Sequence, residues 1–305
     1  MAAHAPQPPR AQTVNAASRR SPWPGLGFVL LLALGAVFRQ PAPAAAQTSA
    51  MPTTREVAYG THPAQRFDVY LPAQTKGAAT IFYVHGGGWR RGDKAMRGLI
   101  EAKQKRWTAA GAIVISTNYR MLPDTDPLEQ ARDIARAVAK AQDTVAALGG
   151  DPEGFVLMGH SAGAHLVGLL AASPKITREF RVKPWRASVL LDGGAIDTEA
   201  TMQGRNLPLF DNAFGKDPAY WRAASPVAQI GAKTAPVLAV CASGRRDSCP
   251  ANRVFLDKAG RYGTRTQLMA KPMSHMEINR DLGEDNDYTR EVETFLRSVG
   301  VGLRG

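Results

Sequence analysis

Apolar runs of four to six residues recur along the chain, separated by longer amphipathic or glycine-rich stretches. Phe67-Asp68-Val69-Tyr70-Leu71 alternates and stops at Pro72, as an edge strand does. Thr80 to Val84 and Ala112 to Thr117 have the pattern of buried strands, and Phe155 to Met158, Ser188 to Leu191, Val237 to Cys241 and Thr266 to Ala270 complete a set of short apolar strands. Between them the period changes. Ala131, Ile134, Ala135, Val138, Val145 and Leu148 recur at helical spacing, so a helix is predicted over Leu128 to Leu148 and stopped by Gly149-Gly150. Ala164 to Ala172 and Asp287 to Val299 also read as helices. Strands alternating with helices predict an α/β fold, with a mostly parallel twisted sheet covered on both faces. The stretch from Gly193 to Lys233 is the least regular and has room for a small cap.

The N-terminal residues follow another pattern. Residues 1–46 contain Arg10, Arg19, Arg20 and Arg39 and no acid; an unbroken apolar run, Gly25 to Phe38, precedes Ala44-Ala45-Ala46. This reads as a secretory signal peptide cut near Ala46–Gln47. The run is short against the ~20 residues that span a bilayer, and a retained anchor is the alternative. Arg19-Arg20 has the look of twin-arginine export, although Pro22 stands where that signal carries a large apolar residue. Residues 47–54 read as a flexible leader and 55–305 as one domain. Cleavage would remove four cations and lower the formal charge from +12 to +8. The remaining basicity is concentrated at Lys175, Arg178, Arg181, Lys183 and Arg186, which reads as a solvated surface; no groove-reading or stacking motif accompanies it, so nucleic acid is not an expected partner.

Two glycine-rich motifs sit where predicted strands end. Gly159-His160-Ser161-Ala162-Gly163 lies between a strand and a helix, as a nucleophile elbow does: the serine occupies a sharp turn and small neighbours let strand and helix pass close together. His85-Gly86-Gly87-Gly88-Trp89 follows the strand ending at Val84, and such a loop directs backbone N–H groups at a developing oxyanion. The donors expected are the amides of Gly87, Gly88 and Ala162. Serine needs a base, and the base needs an orienting acid. Only His165 and His275 follow Ser161; His165 is one turn along the same helix, so His275 is the expected base. The acid should follow a strand between them. Asp247 is taken for that role, with Asp192 as its rival. Trp89, Tyr119 and His160 are candidate substrate contacts, and core packing is the alternative for Trp89 and Tyr119. His85 and Asp93 are expected to brace the glycine loop. Cys241 and Cys249 flank Asp247 and can form a disulfide in an exported protein. No second Cys or His pair has ligand spacing, so no metal site is expected.

Together with Arg91-Gly92-Asp93-Lys94, Asn118-Tyr119-Arg120, Gly150-Asp151-Pro152 and Ser274-His275-Met276-Glu277-Ile278, these motifs resemble the α/β-hydrolase superfamily, and within it bacterial carboxylesterases of the feruloyl-esterase-like and kynurenine-formamidase-like group. The resemblance runs from about Arg55 to the C-terminus. It implies acyl transfer to water through an acyl-serine, without metal or organic cofactor, on a small-molecule ester. The group has a shorter approach to the acid and no flanking cysteines. An aryl formamidase using the same three residues is the second reading, and a non-catalytic binding module on the same fold a third. A periplasmic or secreted location is expected; oligomeric state, acyl group and alcohol are not legible.

Overall fold

An eight-stranded sheet organises the chain in the computed structural model, which describes residues 54–304. The expectations for residues 1–46 and 47–54 lie outside that range, except that Thr54 opens the first strand. The strands are β1 (Thr54–Ala58), β2 (Arg66–Tyr70), β3 (Thr80–Val84), β4 (Ile113–Thr117), β5 (Phe155–His160), β6 (Ala187–Leu191), β7 (Val237–Ala242) and β8 (Thr266–Lys271). Their order across the sheet is β1-β2-β4-β3-β5-β6-β7-β8. β1 and β2 pair antiparallel, and β2 pairs antiparallel with β4. From β4 to β8 every neighbour is parallel.

The helices are α1 (Glu101–Ala109), α2 (Pro127–Ala147), α3 (Ala162–Ala172), α4 (Pro174–Glu179), α5 (Thr198–Gln203), α6 (Pro208–Phe214), α7 (Pro218–Ala223), α8 (Pro226–Gln229), α9 (Ser248–Arg261), α10 (His275–Arg280) and α11 (Asp287–Ser298). α2 begins where Asp126 accepts hydrogen bonds from the Leu128 and Glu129 amides and Pro127 occupies the first turn, where a missing N–H costs nothing. One face of the sheet is sealed by apolar side chains of α2, α3 and α9, including Ile134, Leu166 and Phe255. The other is sealed by Trp107 of α1 and by Val292 and Phe295 of α11. Burial on both faces explains why β3 to β7 read as continuous apolar runs. The least regular stretch becomes four short helices, α5 to α8, within the β6–β7 crossover. In the basic cluster, Lys183 pairs with Asp143 and Arg186 with Asp151 near solvent, arrangements worth little to stability. Among the described residues, no helix is long and apolar enough to cross a membrane.

Sheet order fixes where a ligand can enter. β3 has β4 on one side and β5 on the other, so the chain winds in opposite directions from this pair of central strands. The loops after β3 and β5 lie at the carboxyl end of the sheet, the end at which open α/β sheets bind ligands. The two glycine motifs are those two loops.

Candidate active site

Ser161 links β5 to α3 with φ 55° and ψ −119°, a left-handed backbone that costs a side-chain-bearing residue on the order of 1–3 kcal/mol. The surroundings over-determine it. Its amide donates to the Leu191 carbonyl at 2.9 Å, and its carbonyl accepts from His165 N at 3.1 Å. The flanking glycines are required by contact. A Cβ on Gly159 would stand 2.3 Å from the Gly163 carbonyl oxygen, and one on Gly163 would stand 2.3 Å from that of Val84. Gly163→Ala therefore forces strand and helix apart and is expected to destabilise the protein by roughly 1–3 kcal/mol. Thermal unfolding checks this; a variant melting with the wild type would contradict the stated packing.

The glycine loop lies directly against this elbow: a Cβ on Gly86 would come within 3.0 Å of Ser161 Cβ. Gly87, Gly88 and Trp89 have φ of 125°, 62° and 58° in succession. The loop is braced from below. The His85 ring nitrogens face two acceptors, the Gly86 carbonyl at 2.8 Å from Nδ1 and Asn118 Oδ1 at 3.1 Å from Nε2, and its one N–H donates to one of them; the ring stacks on Tyr119. Burial pushes the His85 imidazole down from its ordinary pKa, although these bonds and the charge of Asp93 oppose it. Asn118 also donates to Asp93 and accepts from the Lys94 amide. His85 and Asp93 thus occupy the bracing positions anticipated for them.

Trp89, Tyr119 and His160 correct an expectation. Trp89 is 1% exposed, packs on Phe210 and Phe214 of the cap, and donates from Nε1 to His165 Nδ1 at 3.2 Å. His165 in turn donates from Nε2 to the Ala224 carbonyl at 2.7 Å. Tyr119 is wholly buried and donates to the His85 carbonyl. His160 is buried beneath the elbow and donates from Nε2 to the His275 carbonyl at 2.9 Å. Large side chains beneath a glycine loop fill the space the glycines leave. These three support the site from inside and present no surface to a substrate. Leu209 of the cap does approach the loop, with Cδ1 3.9 Å from where a Gly88 Cβ would be, and it is 38% exposed.

His275 opens α10. Ser274 caps this helix, accepting from the Glu277 amide while the Glu277 carboxylate accepts from Ser274 N, so His275 is held at the first helical position. Its ring lies 4.5 Å, centroid to centroid, from that of His160, the residue before Ser161 in the chain. Its Nδ1 is 2.6 Å from Asp192 Oδ2.

That bond departs from the expectation for Asp247: the carboxylate that meets the His275 ring is Asp192. Asp192 follows β6, is fully buried, and has φ 45°. Its amide donates to Val240 O, and its carboxylate accepts from Ala242 N at 2.8 Å, Ser248 Oγ, Arg245 Nη1 at 2.6 Å and His275. Burial alone would raise its pKa, but these donors and the Arg245 charge hold the carboxyl well below the usual carboxylate range. Asp247 instead stands at the N-terminus of α9 with its side chain 60% exposed, gripped by Arg245 Nε at 3.2 Å and Nη2 at 2.6 Å. The physical reason lies in the ladder. Leu191 binds the Ser161 amide, so the next residue of β6 is delivered beside the elbow, whereas Asp247 is carried five residues past the end of β7. Cys241 and Cys249 are bonded, with Cα atoms 5.2 Å apart, and close the loop that carries Arg245. Among the described residues, no group of three or more His, Cys, Asp or Glu side chains could hold a metal ion.

The parallel sheet, the serine elbow after β5 and the histidine after β8 define an α/β-hydrolase fold. The chain belongs to the BD-FAE family, whose model matches residues 67–250. It is 29% identical over 211 residues to Esterase LipC of Mycobacterium tuberculosis, covering 63% of this chain and 51% of that protein. It is 36% identical over 113 residues to a probable isoprenylcysteine alpha-carbonyl methylesterase of Oryza sativa subsp. japonica, covering 37% and 27%. The chain thus spans between about a quarter and a half of the length of these curated relatives. Among solved structures it is similar to Thermogutta terrifontis esterase 2 phosphonylated by sarin, with TM-score 0.70 and 20% identity, covering 84% of this chain and 98% of that one. At that identity the likeness concerns the fold.

Proposed function

We propose that this protein is a serine carboxylesterase for short-acyl or aryl esters, in which Ser161 is the nucleophile, His275 the general base and Asp192 the acid that orients it. The observations that carry the reading are the His275–Asp192 bond and the positive φ of Ser161 at the β5–α3 turn. With Nδ1–H donated to Asp192, His275 keeps Nε2 as the acceptor for the serine proton. Ser161 Oγ then forms a bond to the ester carbonyl carbon, and the carbonyl π electrons move onto oxygen. The amides of Gly87, Gly88 and Ala162 are proposed to receive that oxyanion. Gly87 and Gly88 N–H groups donate to no partner among the described residues. His275 returns the proton to the departing alcohol, and water repeats the cycle on the acyl-serine. The names of the esterase relatives, LipC and the isoprenylcysteine methylesterases, agree with ester chemistry. Leu209 at the glycine loop offers apolar surface to a small acyl group. Export, with the first 46 residues removed, belongs to the same proposal and accords with the Cys241–Cys249 disulfide.

The test is a fluorophosphonate probe followed by peptide mapping, with rates on p-nitrophenyl acetate and on an N-formyl arylamine. The adduct is expected on the peptide carrying Ser161, with the ester turned over faster than the amide. A protein the probe does not label would overturn the serine mechanism; preference for the formamide would replace esterase by amidase.

A further inference from the structure

Asp192 and His275 do not form an isolated pair. Arg245 Nη1 lies 2.6 Å from Asp192 Oδ2 and 2.8 Å from His275 Nδ1. The other edge of the same guanidinium grips Asp247 through two bonds. The fork is thus clamped between a buried carboxylate and an exposed one, with the imidazole against its Nη1. The loop that carries it is closed at both ends by the Cys241–Cys249 bond and is anchored where Ser248, the residue after Asp247, donates to Asp192. An arginine cannot lose its proton here, so this is a permanent charge beside the base.

Resting on the esterase reading above, we propose that Arg245 is a positioning residue that sets the protonation behaviour of His275, with Asp247 as the counter-charge that holds and moderates it. Two consequences follow from its placement. A fixed cation at 2.8 Å disfavours a second positive charge on the imidazole. In addition, Arg245 shares Asp192 Oδ2 with His275. Its N–H can be donated to His275 Nδ1 only while that nitrogen carries no proton, so Arg245 competes with protonation there.

The other titratable groups around His275 do not explain such an effect. His160 faces it from the end of β5, but burial first, and then the His275 charge, drive its pKa down to about 3, so it stays neutral through the working range. Tyr288 of α11 donates to Ile278 O behind α10, and burial raises its pKa well above the ordinary value. Glu277, on α10 itself, is tied to Ser274. Lys103 of α1 donates to Asn279 O from beneath the helix, and burial pushes it down to about 7. Lys103 titrates in the relevant range, but it is the same in every variant compared and drops out of the difference.

The experiment is the pH profile of kcat/KM on p-nitrophenyl acetate for full-length wild type, Arg245→Met, Arg245→Lys and Asp247→Asn. In Arg245→Met the acid limb is expected to move to higher pH by about one unit, the lower end of the range for a close charge. Arg245→Lys restores it toward the wild-type position. Asp247→Asn strips the cation of its counter-charge and moves the limb the opposite way, to lower pH. A role in packing alone would lower the plateau or the melting temperature and leave every limb in place, and that result overturns the inference. If Arg245→Met fails to fold, the Asp247→Asn limb decides, because Asp247 is exposed: movement to lower pH supports the proposal, and none defeats it. Fluorophosphonate labelling of the wild type is scored in parallel. A wild type that is not labelled counts against the esterase reading, whereas a labelled wild type with coincident limbs counts against Arg245 alone.

Discussion

Ser161→Ala is expected to abolish ester turnover, with a loss of about 10⁶-fold in kcat and no labelling by a fluorophosphonate. The size follows from the division of labour. Without Oγ no acyl-serine forms, and the proposed base, His275, has no serine proton to accept. What survives is the slow attack of water on an ester held against the loop amides, typically 10³–10⁴-fold over the uncatalysed rate. The substitution removes one oxygen and keeps the Cβ, so the left-handed backbone and the Leu191 bond persist. The melting temperature is expected to stay within a few degrees of wild type. Turnover by the alanine variant within tenfold of the wild type would place the chemistry on another residue.

Asp192→Asn is expected to lower kcat by about 10⁴-fold, while Asp247→Asn, measured at the plateau of its own pH profile, stays within about tenfold of wild type. An asparagine at 192 keeps the shape but presents an uncharged group to His275 Nδ1, so the tautomer with Nε2 free loses its support. It also leaves Arg245 facing a neutral amide in a fully buried position. Asp247 has neither relation to the imidazole. The two variants measured side by side separate the assignments: a large loss at 247 and a small one at 192 would reverse the reading of the site. For stability the sign is also defined. The folded Asp192 carboxyl lies below its unfolded range, so its contribution is present above that range and is lost as pH falls toward the folded value.

Much of this was legible from residue order. The strands from Thr80 to Ala270 and the helices over 128–148 and 287–299 lie within two residues of their observed ends, because burial on both faces or a helical stripe left an unmistakable period. α1 and α9 escape the sequence reading: α1 is rich in charged residues, and in α9 the apolar Val254-Phe255-Leu256 is bracketed by Arg253 and Asp257-Lys258. β1 was missed because five residues on an outer antiparallel pair need bury nothing fully. Within the site, Ser161 and the glycine loop announce themselves through turns that tolerate only small neighbours, and His275 through its order in the chain after Ser161; that it opens α10 rather than lying in a loop is a structural finding. Asp192 has no such signature. Asp192-Gly193-Gly194 looks like any turn after a strand, and what makes it the partner of His275 is the pairing of β6 with β5, a contact between residues distant in sequence. Arg245 was noted beside Asp247, but its reach to Asp192 and His275 depends on the same pairing carried one strand further. Trp89 and Tyr119 were ambiguous for the opposite reason: an aromatic residue beside a glycine loop suits a pocket wall and a foundation equally well, and only burial tells them apart.

All four short cap helices, α5 to α8, are confined to one crossover between β6 and β7. Ser161 and Asp192 directly follow β5 and β6, and His275 opens α10 after β8, so their spacing is owed to the sheet. Added length in a surface crossover carries only a slowly growing entropic cost. A lineage could therefore redraw the roof over the site, and with it the choice of alcohol or acyl group, by insertions and deletions in this one segment. The floor on which the bond is broken would not have to be rebuilt each time.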